Sequence, residues 1–202
     1  MNEPETLRQL LESRVAAAPD EDFLFSEADG RRFTFAEFDR GVNRTAGLLK
    51  AHGVGKGDVV SLLLPNSAEY IIAYFACWKL GAIAGPVNSL LKAQEISFVI
   101  SDSETKALLV HSDFLPTIRS ISSELPGLRE VITFDDEAAA TKDFTGDGLD
   151  KLTSTSPPEI NRDTEAIIIY TSGTTGKPKG CLLTHGNLIA NARQISRWLG
   201  FT

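Results

Sequence analysis

The chain is short of cysteine and histidine: two and three of them, respectively, occur in 202 residues. Cys77 lies inside an apolar run, Cys181 follows a glycine, and His52, His111 and His185 are scattered. Neither a disulfide framework nor a metal-ligand spacing can be written from such a set. Sparse thiols of this kind are expected of a protein in a reducing, cytoplasmic setting. A long hydrophobic run is also missing. The longest apolar stretch, Tyr70 to Trp78, is closed off by Glu69 and Lys79, and is about half the ~18 residues a bilayer demands. The amino terminus shows no basic segment followed by an apolar one, so neither export nor organelle targeting is indicated.

Basic charge is outnumbered as well. Twenty Lys and Arg against 27 Asp and Glu leave a net charge of −7, which argues against a general nucleic-acid or anionic-membrane binder. One stretch runs the other way. From Ala166 to Thr202 there is no Asp or Glu, while Lys177, Lys179, Arg193 and Arg197 are all present, so this stretch can host an anion. The remaining composition, 42% apolar and 23% charged, is that of a globular chain and excludes the disordered, collagen-like and coiled-coil classes. A chain of this length buries roughly 70% of its unfolded surface and needs neither disulfides nor a structural metal to hold together.

Periodicity predicts alternating helices and strands. Residues Leu7 to Ala17 read as a short amphipathic helix, and Phe23 to Phe25 with Arg32 to Thr34 as a hairpin turning on Asp29-Gly30. Thr34 and Glu37 form a capping box, Phe33 and Phe38 occupy its staple positions, and Phe35, Phe38, Val42, Ala46 and Leu49 recur at helical spacing up to Gly53. A strand follows from Val59, then a helix from Asn66 to Leu80 that is apolar on nearly all sides, as expected of a helix packed within its surroundings. Ile83 to Val87, Lys106 to Val110 and Glu130 to Phe134 are further strand-length runs, separated by helical patterns at Ala93 to Ile100 and Asp113 to Leu125. Buried strands alternating with helices predict an α/β fold with a mainly parallel sheet covered by helices, and place ligands at the carboxyl ends of the strands. Asp135 to Asp163 is polar and contains Pro157-Pro158. It reads as a connection between an amino-terminal subdomain, residues 1–134, and a second unit, residues 164–202.

The chemistry concentrates just beyond that connection. A strand, Ala166 to Tyr170, leads into Thr171-Ser-Gly-Thr-Thr-Gly-Lys-Pro-Lys-Gly180, then a short strand from Cys181 and a helix opening near Thr184. Thr171, Ser172, Thr174 and Thr175 supply hydroxyls, Gly173, Gly176 and Gly180 give room for backbone amides to converge, and Lys177 and Lys179 supply movable cations. These are phosphate-handling groups. A Walker A loop does not fit: Thr171 stands where its first glycine belongs, and Pro178 replaces the hydroxyl residue after the lysine. His185 has no nucleophile beside it in sequence and reads as a packing or capping residue. Asp135, Asp136 and Glu137 read as a solvated loop.

Tyr170 to Gly180 resembles the signature loop of the adenylate-forming (AMP-binding) superfamily, which includes acyl-CoA synthetases, luciferases and peptide-synthetase adenylation domains. The resemblance extends through Phe33-Thr-Phe-Ala-Glu-Phe38, Gly55-Lys-Gly-Asp58 with the strand after it, and Trp78-Lys-Leu-Gly81 through Pro86-Val-Asn88, all in the same order. It implies a two-step reaction in which a carboxylate attacks the α-phosphate of ATP to give an acyl-adenylate and pyrophosphate, and coenzyme A then displaces AMP. It also implies that Thr171, Ser172, Gly173, Thr174, Thr175, Gly176, Lys177 and Lys179 contact ATP, chiefly its phosphates. Gly173 to Gly176 and Pro86-Val87-Asn88 resemble acyl- or aryl-CoA ligases more than amino-acid adenylation domains.

The family's full chains are far longer. By the resemblance, the magnesium ligand, most of the acyl pocket and the catalytic lysine lie downstream, so the chain is expected to be the amino-terminal part of the large domain of such a ligase and inactive by itself. The partners implied are a small carboxylate, ATP with Mg2+, and CoA. Three alternatives stay open: an amino-acid adenylation fragment, a stand-alone nucleotide- or partner-binding module derived from a ligase, and a structural fragment that self-associates through exposed sheet edges.

Overall fold

The computed structural model describes residues 3–27, 29–134, 157–171 and 178–200. Helix α1, Leu7–Ala17, opens with a capping box in which Thr6 accepts from the Gln9 amide and the Gln9 side chain reaches back. Strands β1, Asp22–Phe25, and β2, Arg32–Thr34, pair antiparallel as a separate two-stranded sheet. Helix α2, Phe35–Ala51, begins at the expected box: Thr34 Oγ1 accepts from the Glu37 amide at 3.2 Å and the Glu37 carboxylate from the Thr34 amide at 2.9 Å. Each such cap is worth about 1 kcal/mol. Phe38 seats α2 against helix α3, Ala68–Leu80, where its fully buried ring meets Phe75 edge-on.

Among the described residues the main sheet has six strands: β3, Val59–Leu63; β4, Ile83–Pro86; β5, Ala107–Val110; β6, Glu130–Thr133; β7, Glu165–Thr171; and β8, Lys179–Thr184. Their order is β6-β5-β3-β4-β7-β8, with every pair parallel except β7 and β8. The mainly parallel α/β arrangement read from the sequence is therefore present, with one antiparallel strand at an edge. Alternation sorts the side chains. Val60 and Leu62 of β3 with Ala107 and Leu109 of β5 pack with Leu49, Ala73 and Cys77 of α2 and α3. Leu63, Leu108 and Val110 pack on the other face with Ile96 and Ile100 of helix α4, Ala93–Asp102, and Ile118 of α5, Leu115–Ser120. Helix α6, His185–Leu199, docks through Ile189 against Leu7, Trp78 and Ala166.

Some local expectations are corrected. The helix expected from Asn66 begins instead after Ser67, whose hydroxyl accepts from the Tyr70 amide at 3.3 Å. The helix expected over Asp113 to Leu125 is broken into a 3-10 turn, Ser112–Phe114, then α5, then a second turn, Ser122–Glu124. The hydroxyls of Ser120 and Ser122 donate to the carbonyls of Thr117 and Arg119, local bonds that compete with a continuing helix. Residues 135–156, with the acidic run Asp135, Asp136 and Glu137, lie outside the described residues. The described end of the polar connection is anchored: Pro158 O accepts from Arg8 at 2.9 Å, Glu159 O from Lys56 at 2.7 Å, and Ile160 is buried. Ile160 fits because Gly81, left-handed at φ +68° after α3, has no Cβ; one added there would lie 2.9 Å from the Ile160 methyl.

Candidate functional site

The carboxyl ends of β3, β4, β5 and β7 all open on the same edge of the sheet, because these strands run parallel. The two stems that flank the hydroxyl- and glycine-rich segment meet at this edge. The first stem is β7, whose Ala166, Ile167 and Ile168 are buried, and whose position is fixed from the side by the Trp78 indole N–H donating to Ala166 O at 2.8 Å. The second stem is β8, paired antiparallel with β7, so Tyr170 stands opposite Gly180 and Thr171 opposite Lys179. The strand expected from Cys181 thus starts two residues earlier, inside the motif. Thr184 ends β8 and caps α6 in the same place: its Oγ1 accepts from the Asn187 amide at 3.2 Å.

Of the residues singled out from the sequence, Thr171 and Lys179 are therefore brought together, both exposed, at the mouth of the hairpin. Ser172, Gly173, Thr174, Thr175, Gly176 and Lys177 lie outside the described residues. Lys179 makes no ion pair with another described residue, whereas Arg193 binds the Glu3 carboxylate at 3.0 Å and Pro4 O at 3.3 Å. A hydroxyl facing a cation, at the end of the hairpin away from Glu165, its one acidic side chain among the described residues, suits a polyanion. Among the described residues no three of His, Cys, Asp or Glu converge in a group that could hold a metal ion, so no residue described here is given to Mg2+.

The surroundings of the hairpin are structural. His185 is fully buried; its Nδ1 accepts from the Leu7 amide at 3.4 Å, its ring meets Trp78 edge-on at 6.3 Å, and its Nε2 has no partner among the described residues. Burial, and then the charge of Arg8, pull its pKa down to about 4, which keeps it neutral. The Tyr170 hydroxyl donates to Asp102 Oδ2 at 2.7 Å. Burial first, and then this bond and the carboxylate charge, hold the phenol well above its usual pKa. Sequence reasoning did not find this pair, which lies 68 residues apart and leaves no local pattern.

A mainly parallel α/β sheet with Thr171 and Lys179 paired across a hairpin at its carboxyl edge has the layout in which α/β folds take ligands, and its motif is not a Walker A loop. The family model described as AMP-binding enzyme matches residues 11–201, and the chain belongs to this family. It is 36% identical over 179 residues to long-chain-fatty-acid–CoA ligase FadD13 of Mycobacterium tuberculosis, covering 87% of this chain and 34% of that protein. It is 34% identical over 186 residues to tyrocidine synthase 3 of Brevibacillus parabrevis, covering 91% of this chain and 3% of that protein. The crystal structure of the anthranilate CoA ligase AuaEII in complex with anthranoyl-AMP superposes with a TM-score of 0.80 at 30% identity, over 95% of this chain and 36% of the other. The chain spans about a third of the length of the CoA ligases it matches. Among the described residues no helix is long and apolar enough to cross a membrane.

Proposed function

We propose that this chain is the amino-terminal part of an ATP-dependent acyl- or aryl-CoA ligase, of cytoplasmic setting, that converts a carboxylate to an acyl-adenylate and passes the acyl group to coenzyme A. Residues 1–134 form its amino-terminal subdomain, 135–163 the connection, and 164–202 the unit that begins the next. Thr171 to Lys179 take the phosphates of ATP: the hydroxyls of Thr171, Ser172, Thr174 and Thr175 and the cations of Lys177 and Lys179 meet the charge that grows on pyrophosphate as it leaves. Donors already in place lower the barrier only where they strengthen toward that charge. The observation that carries this reading is the pairing of Thr171 with Lys179 at the mouth of the hairpin, on the carboxyl edge of a parallel sheet, in a chain of the AMP-binding family.

A second reading, an amino-acid adenylation unit, draws on the similarity to tyrocidine synthase 3. Asn88 and the Thr174-Thr175 pair favour the CoA ligase over it. Exchange of labelled pyrophosphate into ATP, over a panel of fatty, aromatic and amino acids, tests both. The 202-residue chain alone should stay at background, and the parent protein should exchange with a fatty or aromatic acid and form its CoA thioester. Exchange only with an amino acid would favour the second reading; clear exchange by the isolated chain would contradict its assignment as an inactive part.

A further inference from the structure

We propose that Tyr170 and Asp102 form a tether that fixes the mouth of the phosphate loop, making Tyr170 a positioning residue for the nucleotide; this rests on the reading of the loop given above. Tyr170 immediately precedes Thr171, and Asp102 is the last residue of α4. Their 2.7 Å bond to an ionised acceptor joins the end of β7 to a helix packed on one face of the main sheet, a bond class about twice as strong as one between neutral groups. The half-buried phenol also packs edge-on to Phe98 of α4, with ring centres 6.5 Å apart.

The other stem depends on the same ring. A Cβ at Gly180 would lie 3.0 Å from Ile168 Cδ1, 3.1 Å from Tyr170 Cζ and 3.2 Å from its hydroxyl oxygen, so the phenol and the end of the Ile168 side chain together occupy the space a side chain at 180 would take. Residues 170 and 180, the positions that flank Thr171 and Lys179, thus both bear on one group that α4 holds in place. The need for this follows from topology. β8 is an edge strand whose partner in the sheet is β7, and the end of a hairpin at an edge is where pairing frays. Anchoring the phenol holds Thr171 and Lys179 in register before nucleotide arrives, which lowers the ordering cost of binding.

Hydrogen exchange in this chain reads the tether directly. Tyr170→Phe and Asp102→Ala should each speed exchange of the stem amides, residues 169–171 and 179–181, about tenfold, with β3 unchanged. Asp102→Asn, whose amide oxygen still accepts, should recover most of the protection. Gly180→Ala, whose Cβ would crowd the ring and its hydroxyl oxygen, should reproduce the loss with the phenol still in the chain. The double variant Tyr170→Phe/Asp102→Ala should lose no more than either single one, since both remove the same bond. In the parent enzyme, Tyr170→Phe should raise KM for ATP about fivefold and leave kcat and KM for the carboxylate within twofold.

Stem exchange at the wild-type rate in Tyr170→Phe would overturn the tether, while turnover that still requires Lys179 would leave the ligase reading intact. Faster stem exchange with an unchanged KM for ATP would overturn the positioning role. Faster exchange in a parent protein without any ATP-dependent turnover would remove the ligase reading, and the positioning role with it.

Discussion

Acid should weaken the fold through His185. Its pKa is about 4 in the folded chain and 6.5 without the fold, because burial and the nearby Arg8 both disfavour the imidazolium. Between these values the unfolded chain binds more protons than the folded one, so stability is complete above pH 6.5 and is lost as pH falls toward 4. His185 is fully buried, so solvent does not screen the effect, and the linkage between pH 7.5 and 4.5 amounts to roughly 2 to 3 kcal/mol. Urea unfolding at the two pH values, for the wild type and for His185→Gln, isolates this contribution. The variant should be less stable at pH 7.5, where the contact with the Leu7 amide and the Trp78 edge is altered, but should lose roughly 2 to 3 kcal/mol less than the wild type on acidification. Asp29, whose pKa is pulled down to about 2 chiefly by the Arg31 backbone amide donating to its Oδ1 at 3.0 Å, titrates below this window and cancels in the difference. Equal acid losses in both proteins would refute the linkage.

Two further outcomes follow from the packing. Phe38→Ala removes a fully buried ring that meets Phe75 edge-on at 5.3 Å and Phe23 at 4.9 Å, and should cost about 3 to 5 kcal/mol in urea unfolding; a loss below about 1 kcal/mol would mean that α2 and α3 are not seated through it. A thiol reagent at pH 8 should label one cysteine rapidly, the exposed Cys181, and Cys181→Ser should abolish that phase, because Cys77 is buried and its thiol is pushed up to about 12.

Where the physics is local, the sequence was readable. The Thr34 and Glu37 pair marked the start of α2 because both halves of a capping box lie within four residues, and the apolar runs at Val59, Ile83 and Ala107 marked buried strands because each is short and bounded by turn residues. The start of α3 slipped because Asn66 and Ser67 are both good caps and the Asn66 to Glu69 spacing imitates a box; Ser67 is the one whose hydroxyl reaches an amide. Pairings between distant segments left no such mark. That β7 lies beside β4, that Ile160 in a polar stretch is buried behind Gly81, and that Tyr170 reaches Asp102 are consequences of the folded sheet. The loop itself was recognisable from its hydroxyls, glycines and lysines, but the register that sets Thr171 against Lys179 came only with the hairpin.

Pyrophosphate exchange by the parent protein carrying Thr174→Ala, Thr175→Ala and Lys179→Ala together is the most direct measure of whether this loop receives the phosphates of ATP. Loss of two oxyanion-type donors and a cation should reduce turnover by at least about a hundredfold, with folding and thermal stability close to wild type. Turnover equal to wild type in that triple variant would show that the phosphates bind elsewhere.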